Sequence, residues 1–300
     1  TYVRNHANNK VYKIASGASD WDTNWTDVCM KNVGPGKMQG ISLHYYSVRN
    51  WDYKGKATEF TKQEYYEILS RAIQIDKCIK QQRDVMDKYD PDHKVDLLVD
   101  EWGTWWEVEP GTNPGHLFQQ CTMRDALVAS SSLDIFHKHT KRVKMANIAQ
   151  VVNVLQAMVL TKGDQMVLTP TYHVFNMYKV HQDAEFIPVE FDSKPLVWTE
   201  KGAVPTLSVS ASRKDGAIHV SLVNPSLDQT QKVTLSWETF KSSAKANVSG
   251  VILSAKDVHD FNDFGVEPKV CNKEFKNIKK TAKGIEFEMP AASIITLEIK

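Results

Sequence analysis

The first part of the chain alternates short apolar runs with stretches in which apolar residues recur every three or four positions. Val11 to Ala18 (VYKIASGA) reads as a strand, Asp22 to Val33 as a short helix, and Ile41 to Tyr46 (ISLHYY) as a second strand. The next helix carries the sharpest signals. Thr61-Lys62-Gln63-Glu64 is a capping box. Tyr65, Ile68, Ala72, Ile75 and Ile79 then follow along one helical face. The helix is expected to run unbroken to Tyr89-Asp90-Pro91, because Pro disfavours helix at the residue before it. Val95 to Trp102 (VDLLVDEW) has the continuous apolar run of a parallel strand buried on both faces. Asn113 and Pro114 should open a helix lasting to about His139, Met145 to Ala149 is a fourth strand, and Pro170 to His181 a last helix. Four consecutive βα units predict a parallel sheet with right-handed crossovers. The opening residues, TYVRNHANNK, read as the tail of a helix.

After about Phe186 the period changes to two. Leu207 and Val209, then Ile218, Val220 and Leu222, then Val233, Leu235 and Trp237 alternate with polar residues. Ile285, Phe287 and Met289, then Ile295, Leu297 and Ile299, do the same. This predicts an antiparallel β-sandwich with one face solvated, and a division into residues 1–184 and 185–300.

Composition narrows the function. Hydrophobic residues make up 42% and charged ones 24%, an ordinary globular balance. The formal net charge of +1 gives no reason to expect a nucleic acid or an anionic membrane as partner. No stretch approaches the roughly 20 apolar residues of a membrane helix, and the opening segment lacks the apolar centre of a signal peptide. Cys29, Cys78, Cys121 and Cys271 show no CxxC spacing, which removes support for zinc or thioredoxin-type chemistry. The first three fall in segments read as helical, where a free thiol packs as a small hydrophobe. A reducing, cytoplasmic setting is favoured over export.

Parallel α/β folds place chemistry at the C-terminal ends of their strands. Those ends carry His44-Tyr45-Tyr46, then Asp100-Glu101-Trp102 followed by Trp105 and Trp106, then Asn147 and Gln150. Aromatic faces suit the apolar faces of sugars, His, Tyr and amides suit hydroxyls, and a carboxylate is what glycoside cleavage needs. Alternation along a strand allows only one of Asp100 and Glu101 to face the site. His44 could equally be a hydrogen-bonded core histidine, at least one of the three tryptophans is expected in the core, and Glu107 and Glu109 read as solvated loop acids.

At these residues the chain resembles the C-terminal part of a glycoside hydrolase family 51 α-L-arabinofuranosidase. The likeness runs through ISLHYY from Ile41, MDKYDP from Met86, VDEWGTWWEVEPGTNPG from Val99, RDALVAS from Arg124, VKMANIAQVVNVLQAMVLT from Val143 and PTYHVFNMYKVHQ from Pro170. It implies a (β/α)8 TIM barrel, of which only the last four βα units are present, followed by a β-sandwich. It implies retaining, exo-acting release of terminal arabinofuranosyl units from arabinan- or arabinoxylan-type hemicellulose, with Glu101 as nucleophile at the end of the seventh strand. His44, Tyr46, Trp105 and Gln150 match residues that line the arabinose site. Gly103 stands where some relatives have Asn. The family's acid/base is the Glu of a Gly-Asn-Glu motif on the fourth strand, and this chain contains no Asn-Glu dipeptide. Counting units agrees: four cannot close a barrel of eight, and each outer strand would keep an unpaired apolar edge. The expected partners are therefore an arabinose-containing oligo- or polysaccharide and the N-terminal half of the barrel. Family members are commonly oligomeric, often hexameric, so a homo-oligomer is expected. Neither a metal nor an organic cofactor is required.

Three rivals stand beside this reading. One is an endoglucanase or xylosidase on the same scaffold, and another a non-catalytic carbohydrate-binding protein. The third, an open doubly wound protein, would need a Gly-rich phosphate loop after the first strand, for which Ser16-Gly17-Ala18-Ser19 is too poor in glycine.

Overall fold

The computed structural model describes residues 4, 8–237 and 246–300. The opening segment read as a helix tail lies largely outside these described residues. The elements begin with β1 (Ile14–Ser19), α1 (Thr23–Asn32), β2 (Gly40–Ser47), α2 (Lys62–Ile73), α3 (Ile75–Asp87), β3 (Asp96–Thr104), α4 (Met123–Lys138) and β4 (Val143–Ile148). A hairpin, β5 (Val159–Lys162) and β6 (Gln165–Leu168), precedes α5 (Pro170–Tyr178). Then come β7 (Glu185–Ile187), β8 (Pro195–Thr199), β9 (Gly202–Pro205), β10 (Ser208–Lys214), β11 (Ala217–Asn224), β12 (Gln231–Ser236) and β13 (Val248–Ser254). The last four are β14 (Lys273–Glu274), β15 (Lys279–Thr281), β16 (Gly284–Met289) and β17 (Ser293–Ile299).

Strands β1 to β4 form one parallel sheet in chain order, the partial sheet of a barrel. Among the described residues β1 and β4 each have one unpaired edge. Large apolar side chains are exposed there, Ile14 on β1 and Met145 on β4. The trailing strands form a six-stranded sheet, ordered β14-β13-β17-β11-β10-β7, over a three-stranded one, β12-β16-β15. Val220, Leu222, Ile285, Phe287, Met289, Ile295 and Leu297 fill the space between them.

Three expectations change. The long helix is interrupted at Gln74, since its halves pack on different partners. In α2, Ser70 Oγ donates to Gly202 O at the β8–β9 hairpin, whereas in α3 Gln82 accepts from Thr26 of α1. Asn113-Pro114 opens only a single 3-10 turn, ended by Leu117 at φ 51°. Helix α4 starts afresh with its own capping box, Thr122 with Asp125, which leaves Cys121 in a loop. Lastly, the outer face of the larger sheet is not simply solvated. Helices α4 and α5 cover it, and every residue of α4 from Met123 to Phe136 is buried. On that face Ser210, Ser212 and Ser221 are buried and Ser208 half-buried, and all are paired: Ser210 Oγ with His137 Nδ1 (2.7 Å), Ser212 Oγ and Ser221 Oγ with the two nitrogens of His181 (2.8 Å each), and Ser208 Oγ with Asp134 Oδ2 (2.6 Å). A period of two marks which residues share a face but not what covers it.

Candidate active site

Strand β3 carries the chemistry, and its register explains how. Between Ser42 and His44 of β2, β3 advances from Leu98 to Glu101, and it gains the same extra residue against β4, between Val99 and Trp102. Such a bulge re-aims side chains. Consequently Asp100 and Glu101 both reach His44, so strict alternation does not hold there. His44 Nδ1 lies 3.3 Å from Glu101 Oε2, and its Nε2 lies 3.4 Å from Asp100 Oδ1. Ser42 Oγ donates to Asp100 Oδ1 at 2.6 Å.

Tyr46, two residues beyond His44 on the same side of β2, donates its hydroxyl to Glu101 Oε1 at 2.5 Å. Burial and the facing carboxylate push the Tyr46 phenol well above its ordinary value, so it stays a proton donor. Its ring meets Trp105 edge-on at 4.9 Å, and Trp51 closes the cluster at 5.6 Å from Trp105. Trp51 is a site residue that the sequence reading did not single out, and Asp100, weighed there as the alternative to Glu101, lies at the site beside it. Trp51 follows the His-Tyr-Tyr strand end within one loop, which is the signal that could have found it.

Trp105 is held in place from behind. Its neighbours Thr104 and Trp106 donate to Asp125 Oδ1 at 2.6 and 2.9 Å, while Asp125 Oδ2 accepts from Thr122 N at 2.7 Å. Gln156 Oε1 accepts from Thr104 N at 2.8 Å, and Gln119 Oε1 from Trp106 N at 2.8 Å. The guanidinium of Arg124 lies between the Phe60 and Trp106 rings, 3.7 and 3.6 Å from their centres. Of the three tryptophans that follow Glu101, Trp102 and Trp106 are thus core and Trp105 faces the site. Gly103, at φ 140°, is a position that favours glycine, and a Cβ there would meet Gln156 Oε1 at 3.1 Å.

Gln150 is exposed on the loop after β4. Its N–H donates to Val154 O, and among the described residues no hydrogen bond links its side chain to Glu101. The other acids of this rim are engaged elsewhere. Glu107 accepts from Lys54 N at 3.0 Å, Glu109 from Gln120 N at 3.0 Å, and Asp52 is exposed. Asp20 lies with Tyr45 and Arg71 on the helix side of the sheet, where burial raises its carboxyl above the usual range. No group of three or more His, Cys, Asp or Glu able to hold a metal occurs among the described residues.

A partial parallel α/β sheet joined to an antiparallel sandwich, with a carboxylate and aromatics at the strand ends, places the chain among barrel proteins with a trailing β domain. Residues 100–293 match the family model of the α-L-arabinofuranosidase C-terminal domain, and the chain belongs to that family. It is 49% identical over 302 residues to an intracellular exo-α-L-arabinofuranosidase of Bacteroides ovatus, a match covering 100% of this chain and 58% of that protein. The chain thus spans little more than half the length of that relative. The crystal structure of a GH51 arabinofuranosidase from Xanthomonas axonopodis pv. citri superposes with a TM-score of 0.94 at 42% identity, covering 99% of this chain and 60% of that one. A family 51 α-L-arabinofuranosidase from Bifidobacterium longum shares the fold at a TM-score of 0.80 and 20% identity, over 96% of this chain and 58% of its own.

Proposed function

We propose that this chain supplies the nucleophile half of a retaining, exo-acting α-L-arabinofuranosidase site. The observation that carries the reading is the clasp on Glu101: Tyr46 donates to one carboxylate oxygen while His44 stands beside the other. The two contacts hold the carboxylate in one orientation at the strand end. Glu101 attacks the anomeric carbon of a terminal arabinofuranosyl unit and forms a glycosyl-enzyme. A second carboxylic acid, about 5–5.5 Å from Glu101, protonates the leaving oxygen and later deprotonates the attacking water. Asp100 is ill placed for that task, because the His44 ring lies between it and Glu101. The acid/base belongs to the N-terminal half of the barrel, whose strands would pair with the open edges of β1 and β4. Residues 1–184 are that barrel half and 185–300 the sandwich domain. Arabinan- or arabinoxylan-type hemicellulose is the substrate class, with the terminal sugar against Trp105, His44, Tyr46 and Gln150. A homo-oligomer belongs to the same reading and is checked by the native mass. A reducing, cytoplasmic setting suits the four free cysteines.

The test is Glu101→Ala in the enzyme with its complete barrel, assayed on an aryl α-L-arabinofuranoside. Turnover should fall by several orders of magnitude, with azide restoring part of it as the glycosyl azide. Near-normal turnover by the variant would remove Glu101 from the chemistry.

A further inference from the structure

The segment between β13 and β14 leaves the sandwich and crosses onto the loop side of the parallel sheet. Its attachment is extensive. Met123 N and Arg124 N at the start of α4 donate to Asp260 O and Val258 O, at 3.0 and 3.3 Å. Asn262, buried at 2% exposure, donates from Nδ2 to Leu168 O at the end of the β5–β6 hairpin (2.8 Å) and to Val270 O (2.7 Å), and accepts from Val270 N. His259 stacks on Phe60 with ring centres 3.9 Å apart.

Two residues past Asn262, this segment delivers Phe264 to the wall of a groove of about 470 Å3. Phe118 and Val154 supply the other apolar walls, and His116, Asn153 and Thr161 lie among the lining residues. Asn153 Nδ2 donates to Thr161 Oγ1 at 2.8 Å and its Oδ1 accepts from Thr161 N at 2.7 Å, which leaves the second amide N–H and the hydroxyl proton of this pair for a ligand. The volume lies within the range of about 300–1,000 Å3 usual for ligand pockets. The groove adjoins the Glu101 site. Val154, which lines it, and Leu117, next to Phe118, pack against the cluster that includes Tyr46, and Trp105 packs on the same cluster. Leu155 N donates to Leu117 O at 2.9 Å, tying the two loops that separate groove from site.

We propose that this groove is an acceptor-side subsite, in which Phe264 of the sandwich domain and Phe118 of the barrel stack on sugar rings of the chain from which arabinose is released. The proposal rests on the arabinofuranosidase reading. Its chemistry is that of a polyol with apolar faces: two aromatic side chains for the ring faces, and an imidazole, an amide and a hydroxyl for the edges. The sandwich domain thereby acts in substrate choice as well as in packing. Because the segment is anchored through Asn262 and through backbone groups, truncating Phe264 leaves the anchors in place.

The experiment compares two substrates in the enzyme with its complete barrel: 4-nitrophenyl α-L-arabinofuranoside, which has no acceptor chain, and a linear arabino-oligosaccharide. Phe264→Ala should leave kcat/KM on the aryl glycoside within about twofold and lower it on the oligosaccharide by about 3- to 10-fold, mainly through KM. Phe264→Trp should restore it. Equal losses on both substrates, or none on the oligosaccharide, would overturn the subsite. If Phe264→Ala melts early, Phe118→Ala is read by the same ratio. A wild-type enzyme inactive on both substrates would instead remove the arabinofuranosidase reading, and the subsite with it.

Discussion

Tyr46 donates its hydroxyl to Oε1 of Glu101 at 2.5 Å, a link that spans neighbouring strands: His44, two residues before Tyr46, is the register partner of Glu101. The tyrosine therefore fixes the carboxylate's orientation from a rigid element. Tyr46→Phe keeps the ring and its packing on Trp105 and removes only this donor. A hydrogen bond to a charged group contributes about 1.5–3 kcal/mol, so kcat should fall roughly 10- to 150-fold. The melting temperature should hardly move. A Tyr46→Phe enzyme with unchanged kcat would show that the bond is incidental.

His44 is the other half of the clasp, and its side chain is 41% exposed, too open for a core histidine. His44→Ala should cost catalytic efficiency without a matching loss of stability. Asp100→Asn tests the group behind it. The amide can still accept from Ser42 but no longer places a negative charge at His44, so activity should drop less than in His44→Ala. Thermal melts run beside the kinetics separate a site role from a packing role.

Trp105 and Trp106 are neighbours in sequence with opposite expected phenotypes. Trp106 is buried at 1% exposure, bonded to Asp125 and in contact with Arg124. Trp106→Ala should cost about 3–5 kcal/mol of stability. Asp125→Ala, which strands the indole N–H of Trp106 and the backbone N–H of Thr122, should cost a similar amount. Trp105→Ala should instead lower catalytic efficiency with a smaller change in melting. Chemical denaturation of the three variants decides between these assignments.

The legible parts of this protein were those whose signals are local. The Thr61 capping box marked the start of α2 to the residue, and the apolar runs at Ile41 and Val95 located β2 and β3 within one or two residues. What the pattern missed depends on partners distant in sequence. The bulge that turns both Asp100 and Glu101 toward His44 exists only relative to β2 and β4. Ser210, Ser212, Ser221 and Thr296 alternate with apolar residues as solvent-facing positions would, yet they lie under helices α4 and α5. The short hairpins β5–β6 and β8–β9 are too brief to set a period. At the site, His44, Tyr46, Glu101 and Trp105 come together from two strand ends, while Trp51 joins them by ring packing alone.

That buried polar layer sets the last prediction. Burial pushes the His137 imidazole down to about 4 and the His181 imidazole down to about 3, from an ordinary 6.5. Both are therefore neutral in the folded protein at pH values where the unfolded chain has begun to bind protons. Unfolding takes up protons in that window, so these two groups favour folding fully above about pH 6.5 and progressively less as pH falls toward 4. Asp134 works the other way. Burial raises its carboxyl to about 7, so the folded state holds a proton that the unfolded chain releases above its ordinary 3.8. Its contribution falls as pH rises from about 4 to 7. With two histidines against one carboxyl, acid should loosen the joint between the sandwich and helices α4 and α5. The measurement is melting temperature against pH for the wild type and for a His137→Gln, His181→Gln double variant. The variant should melt below the wild type at pH 7.5, and the gap should narrow toward pH 4.5. Parallel curves across that range would mean that neither histidine is held neutral by the fold.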